Sequence, residues 1–258
     1  MRSILLFAPA GTARADRGAS AYAIDLAKSL KAHLTLLVVD LDVARPGSHA
    51  DPVGIADALG SAARKAGVEC VAITEHSHAI GIHDVLAEHA RLHDMTVMGC
   101  SRDGLLSESI LFEGVLFNSG RPVIVVPRDF QASRPLARIA IGWDNSAAAA
   151  RALGDAKPLI IGRSAVFLMI DGDKQFEGGI GHSALIETAK RRGINATLEI
   201  AARGDRDIGE ALQAEAQALD ADLLVMGGYG HSTFRRIVLG SATGGILDAL
   251  RMPVLMSH

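Results

Sequence analysis

The chain alternates short, almost wholly apolar runs with longer stretches in which apolar residues return every three or four positions. Ser3–Ala8, Leu34–Val39 (LTLLVV), Val68–Thr74, Met95–Met98 and Val123–Val126 are runs of the first kind and read as strands buried on both faces. Between them Ala19–Lys31, Ile55–Lys65, Ile82–Leu92 and Leu105–Phe117 read as helices, the last with apolar residues at 105, 106, 110, 111 and 116. A loop rich in Pro, Gly and Asp (Leu41 to Pro52) precedes the second helix. Strands separated by helical crossovers predict a parallel sheet, here of five strands.

The second half repeats this order. Strands are predicted at Arg138–Gly142, Ala165–Ile170 (AVFLMI), Ala196–Ile200, Leu223–Met226 and Val254–Met256. Helices are predicted at Ala147–Ala156, Ala184–Arg192, Ile208–Leu219 and from Ser241 onward. Pro158 lacks an N–H and crowds the preceding turn, which predicts a break near Lys157 and a fresh turn through Ile161. Val97-Met98-Gly99 superposes on Val225-Met226-Gly227, and Arg121-Pro122-Val123 on Met252-Pro253-Val254. The expected organisation is a tandem repeat with domains at 1–129 and 137–258, joined by the polar segment RDFQASRP at Arg128–Pro135.

Composition narrows the class. Hydrophobic residues make up 49% of the 258 but aromatics only 4%, so Ala, Leu, Ile and Val must build the core, as suits parallel strands under Ala-rich helices. A net charge of −3 gives no global field for a nucleic-acid backbone, and Arg235-Arg236 is only a local pair, so no nucleic-acid partner is expected. Cys70 and Cys100 form no CxxC, which suits reduced, buried thiols in the cytoplasm. Near the first residue the apolar run spans only Ile4 to Ala8 behind a single Arg, a poor export signal. No apolar run approaches the length needed to cross a bilayer, so no membrane partner is expected either.

The candidate chemistry sits in Met226–Thr243, MGGYGHSTFRRIVLGSAT. Glycines at 227, 228 and 230 permit positive φ and leave no Cβ to hold an anion away from the backbone N–H groups. Gly240-Ser241 opens the last helix, with Ser241 a good N-cap and Ile246, Leu247 and Leu250 on one apolar face. The first N–H groups of that helix lack internal partners and lie at the positive end of its dipole. A polyphosphate spanning the two turns is the expected guest; the competing reading is a glycine-rich turn and helix cap with no ligand.

The spacing of Gly227, Gly230, Gly240 and Ser241 is G-x2-G-x9-G-S. With the string GGYGHSTFRRIVLGSATGGIL and the segment PVLMSH, it resembles the nucleotide-binding members of the universal stress protein family, in particular their tandem two-domain bacterial branch. That resemblance implies an α/β fold of two open-twisted five-stranded parallel-sheet domains, Rossmann-like and similar to adenine nucleotide alpha-hydrolases. It implies ATP as ligand, with or without Mg, and contacts from Asp144, Ile170, Gly227, Gly230, Gly240, Ser241 and Ala242. Trp143-Asp144-Asn145-Ser146 resembles the family's D-x-S segment, so Asp144 is expected to accept from a ribose hydroxyl or the adenine amino group. A second reading of Asp144 is an N-cap for the helix beginning at Ala147, and the two roles can coexist. Ile170 would offer its backbone to adenine, or serve simply as core.

The first copy departs from this pattern. Gly99 is followed by Cys100-Ser101-Arg102, nothing like Gly240-Ser241 stands near Ser107–Ser109, and Pro9-Ala10-Gly11 replaces Trp143-Asp144-Asn145. No ATP is expected in the first domain. By resemblance the fifth strands pair antiparallel across a two-fold interface, which would make Val123–Val126 and Val254–Met256 the seam of an intramolecular pseudo-dimer, with a homodimer open beyond it. The implied function is nucleotide-dependent regulation of a stress response. The alternatives are an adaptor acting through protein surfaces alone and a slow ATPase or self-phosphorylating protein. His231, Ser232, Thr233 and Arg235 lie between the turns, and Ser232 or Thr233 would accept the phosphate; no base or metal-binding carboxylate is evident beside them, so catalysis is not expected.

Two other constellations compete. His76, His78, His83, His89 and His93 fall close together; His76-x-His78 suits an extended segment and His89/His93 have the i, i+4 spacing of a helical metal pair, but no closing ligand is set by spacing. Gly179-Ile180-Gly181-His182-Ser183-Ala184 fits GxGxxA yet lies eight residues past its strand, the wrong place for a dinucleotide turn. Asp171-Gly172-Asp173 reads as a turn. No GxSxG and no GxxxxGK[ST] occurs, which leaves hydrolase and P-loop readings without support.

Overall fold

The computed structural model describes residues 2–10, 17–42, 51–78, 81–100, 108–127, 130–131, 135–171, 181–228 and 250–258. The chain divides into two units, Met1–Gln131 and Ala132–His258.

The first unit runs β1 (Ser3–Pro9), α1 (Arg17–Leu30), β2 (His33–Asp42), α2 (Pro52–Lys65), β3 (Cys70–His78), α3 (Ile82–Arg91), β4 (Met95–Cys100), α4 (Glu108–Asn118) and β5 (Val123–Pro127). Its strands lie in the order β3-β2-β1-β4-β5, all parallel. The apolar runs supply the middle of the sheet, where Ile4, Leu5, Leu34, Leu36, Leu37, Val97 and Ile124 are fully buried. Helix α2 begins three residues before the predicted Ile55 because Asp51 accepts from the Gly54 N–H at 2.8 Å and Pro52 occupies the first turn, where its missing N–H costs nothing. Strand β3 runs four residues past the predicted end, through Glu75-His76-Ser77-His78, because β2 extends beside it and pairs Asp40 with His76 and Asp42 with His78. Polar residues there obscure the strand in sequence.

The second unit runs β6 (Arg138–Gly142), α5 (Ala147–Asp155), α6 (Lys157–Ile160), β7 (Ser164–Asp171), α7 (His182–Arg191), β8 (Asn195–Ala202), α8 (Ile208–Ala218), β9 (Leu223–Gly227) and β10 (Val254–Ser257). Its order, β10-β9-β6-β7-β8, is again parallel throughout. The break at Pro158 is present. Helix α5 stops at Asp155 and α6 restarts at Lys157 with Pro158 in its first turn, while Arg163 holds the new turn by donating to the carbonyls of Leu159 (2.7 Å) and Leu136 (2.9 Å).

Equivalent residues do equivalent work in each unit. Asp94 accepts from the N–H groups of Arg2 (2.6 Å) and Ser3 (3.0 Å) at the start of β1. Asp222 accepts from Ala137 (2.9 Å) and Arg138 (2.8 Å) at the start of β6. Each carboxylate sits just before the strand that flanks its unit's first strand and fixes the register between them. In both units the chain builds outward from the first strand in one direction and then returns to its other side, creating a switch in strand order between β1 and β4 and between β6 and β9.

Candidate functional site

The switch in the second unit lies where β6, β7 and β9 end. Strand β6 stops at Gly142, and the Trp143 N–H extends the ladder by one bond to the Leu168 carbonyl (2.9 Å). The Trp143 ring meets Phe167 edge-on, centroids 5.6 Å apart. The chain then turns. Asn145 adopts φ 59°, a left-handed conformation that asparagine tolerates better than most residues. Ser146, extended at φ −85° and ψ 161°, caps α5 by accepting from the Ala149 N–H at 3.1 Å.

Asp144 therefore is not the helix cap; that reading is corrected to Ser146. The Asp144 Oδ1 instead accepts from the Ser146 N–H at 3.0 Å, which holds the carboxylate at the outer edge of the turn. Serine at the cap and aspartate two residues before it form one local device, and the sequence already carried both residues.

Ile170 is 3% exposed, so its side chain is core. Its backbone has a different role. Leu168 directs its carbonyl to the β6 side, and in a parallel strand the residue two further on directs its N–H and C=O the same way. Strand β6 has ended by that level, so the Ile170 peptide groups face the space beside the Asp144 turn, while β8 covers the other edge through the Ile170 pairing with Ala201.

Gly227 ends β9 in extended conformation, without the positive φ that glycine makes available. A Cβ on Gly227 would stand 2.5 Å from the Ala148 carbonyl carbon, 2.6 Å from Ala148 Cβ and 2.7 Å from the Ala149 nitrogen. Glycine is needed because the first turn of α5 lies directly on the strand. The Gly228 N–H donates to the Ser257 carbonyl at 2.6 Å, so it closes the β9–β10 ladder instead of pointing at an anion. Gly230, Gly240, Ser241 and Ala242, with His231, Ser232, Thr233 and Arg235, lie outside the described residues.

The corresponding place in the first unit is filled. There β1 runs on to Pro9, Ala10 donates to the Val39 carbonyl at 2.9 Å, two residues beyond the level at which Trp143 donates to Leu168, and Ala10 then packs with Ala8, Val38 and Ala56 against Ile55 and Leu59. An alanine in an apolar cluster stands where the second unit has a carboxylate turn.

The histidines do not converge. His76 pairs with Asp40 (3.4 Å) and lies edge-on to His78, 6.2 Å between centroids. His89 pairs with Glu75 (3.6 Å), which as the strand neighbour of His76 faces the opposite side of the sheet. His93 is buried and bonded through one ring nitrogen to Thr35 Oγ1 and through the other to the His89 carbonyl, both at 2.8 Å. Among the described residues no group of three or more His, Cys, Asp or Glu side chains could hold a metal. Among those residues, too, no helix is long and apolar enough to cross a membrane.

Residues 172–258 match the family model of the Universal stress protein family. Solved structures match the fold of the whole chain. A universal stress protein from Archaeoglobus fulgidus DSM 4304 is 19% identical, with 98% of this chain and 95% of that chain covered and a TM-score of 0.65. A Pseudomonas aeruginosa UCBPP-PA14 structure carrying the same family's name is 19% identical over 100% of this chain and 93% of that one, TM-score 0.58. A functionally unknown protein from Pseudomonas aeruginosa PAO1 is 21% identical over 100% and 92%, TM-score 0.55. At these identities the likeness is one of fold. No curated protein matches the chain.

Proposed function

We propose, from the match of residues 172–258 to the Universal stress protein family model, that the second unit binds an adenine nucleotide, ATP in the first instance, at the carboxyl ends of β6, β7 and β9. The observation that carries the reading is the pairing of the Asp144 turn with the Ile170 peptide. One offers a carboxylate held by Ser146, the other an N–H and a C=O on the side where β6 has ended. A carboxylate suits ribose hydroxyls, and a peptide edge suits the hydrogen-bonding edge of adenine. The glycine spacing that begins at Gly227 supplies the phosphate end through Gly230, Gly240, Ser241 and Ala242.

In this reading Gly227 seats helix α5 and the anion contacts fall to the later positions. The first unit takes no nucleotide, because the Ala10 cluster occupies the place of the carboxylate turn. The protein acts as a nucleotide-dependent regulator rather than a catalyst, and its two domains extend over 1–129 and 137–258.

Mass spectrometry of small molecules released from the purified, denatured protein tests this directly. An adenine nucleotide is expected, and it should be absent from Gly240→Leu and much reduced in Asp144→Ala. Protein that releases none and takes up none from added ATP would overturn the proposal and leave an adaptor working through its surfaces.

A further inference from the structure

The end of β10 carries a buried group that the proposed nucleotide site does not use. Ser257 is 1% exposed, and its hydroxyl oxygen has no hydrogen-bond partner among the described residues. Its place in the sheet gives its direction. Ser257 is in register with Gly227, and residues in register across a parallel pair project to the same face. That face is the one on which the first turn of α5 lies, against Gly227, with the Ala148 and Ala149 backbone in contact. The Ser257 hydroxyl is thus aimed beneath the start of α5, a helix of nine residues.

The helix leaves donors there. Ser146 satisfies the Ala149 N–H with its side chain and the Ala150 N–H with its carbonyl. Ala147 and Ala148, the first two helical residues, have no carbonyl one turn back to receive their N–H groups. A hydroxyl that can donate and accept therefore lies on the side of first-turn amides that can only donate.

The first unit supplies the comparison. Gly99, the counterpart of Gly227, is in register with Val126, which is fully buried. At the same site of the same fold, one copy has an apolar side chain and the other a hydroxyl of smaller volume. Burying a hydroxyl without a partner is unfavourable where valine fits.

We propose that the Ser257 hydroxyl and the first-turn amides of α5 hold one buried water molecule. The hydroxyl and two amides give it three partners, the usual number for an internal water. The water joins the last strand to the helix start that carries the Asp144–Ser146 turn, so the turn is anchored from below independently of any nucleotide. A phosphate or other anion does not suit this place, since the Asp144 carboxylate is bound to the same helix entry.

The test is solution NMR of the full chain with Ser257→Val, the residue the first copy already uses, as the variant. In the parent protein the Ala147 or Ala148 amide should show cross-relaxation to a long-lived water, and the variant should lose it. The variant should also unfold more readily, with an unfolding constant raised about tenfold. A parent amide without such a water signal, or a valine variant as stable as the parent or more so, would overturn the proposal. The parent measurement stands by itself if the variant does not fold.

Discussion

Replacing Gly227 by alanine adds one methyl group where the structure has no room for it. The new carbon would lie 2.5 Å from the Ala148 carbonyl carbon and 2.7 Å from the Ala149 nitrogen, against the roughly 3.5 Å at which such atoms normally meet. Both atoms are backbone of the first turn of α5, so no side chain can rotate away, and the helix start must lift by on the order of 1 Å. Overpacking of this kind typically costs about 1–3 kcal/mol, or about 4–11 °C in Tm for a domain of this size. The displaced turn also carries Ser146 and Asp144, so nucleotide retention should fall together with stability. Gly154 supplies the control on the same helix: a Cβ there meets nothing within 4 Å and its φ is not positive. Gly154→Ala should therefore stabilise by about 0.4–1 kcal/mol. Thermal unfolding of the two variants beside the parent decides the matter. Equal Tm values for Gly227→Ala and the parent would refute direct seating of α5 on the strand.

Three further outcomes follow from the same structure. Asp94 is partly buried, which by itself raises its pKa, but the Arg2 and Ser3 N–H groups and the Arg121 charge outweigh this and hold it below the ordinary carboxylate value. Its contribution is then fully present above the unfolded value of about 3.9 and is lost as pH falls through the lower folded value. Asp94→Ala should cost about 1 kcal/mol at neutral pH in denaturant titrations, and the gap from the parent should close below the folded pKa. Gln213 is 3% exposed and accepts from the Arg251 N–H at 2.8 Å; Gln213→Leu strands that donor and should cost about 1–3 kcal/mol, measured by urea unfolding. Ser146→Ala removes the α5 cap and should cost about 1 kcal/mol. It should weaken nucleotide binding further than its stability loss explains if the Asp144 turn is part of the site, which calorimetric titration with ATP would read.

Alternation of apolar runs and helical periodicity was enough to give the fold class, the element order, and the break at Pro158, because burial of both strand faces and the geometry of proline act locally. The sequence read His76-x-His78 as extended but not as part of β3: both residues pair with β2 through their backbones, and backbone pairing leaves no mark on side-chain type. The histidines looked close in sequence, yet strand alternation and the burial of His93 sent them to different places. Spacing along a chain measures proximity only while the secondary structure is known.

The residue types at the candidate site were legible, and their division of labour was not. Asp144, Ser146 and Gly227 could be named from motif spacing, since a tight turn and a close approach demand particular residues whatever surrounds them. Which of Asp144 and Ser146 caps α5 depends on the dihedrals of the turn, and Gly227 proved to accommodate a helix rather than to adopt positive φ. Val126 and Ser257 acquire their contrast only when β4 is beside β5 and β9 beside β10. Sequence by itself determined which elements form and in what order, because those choices are made over a few neighbouring residues. The tertiary structure decided which backbone edges and buried hydroxyls meet, because such contacts exist only after strands distant in the chain are aligned.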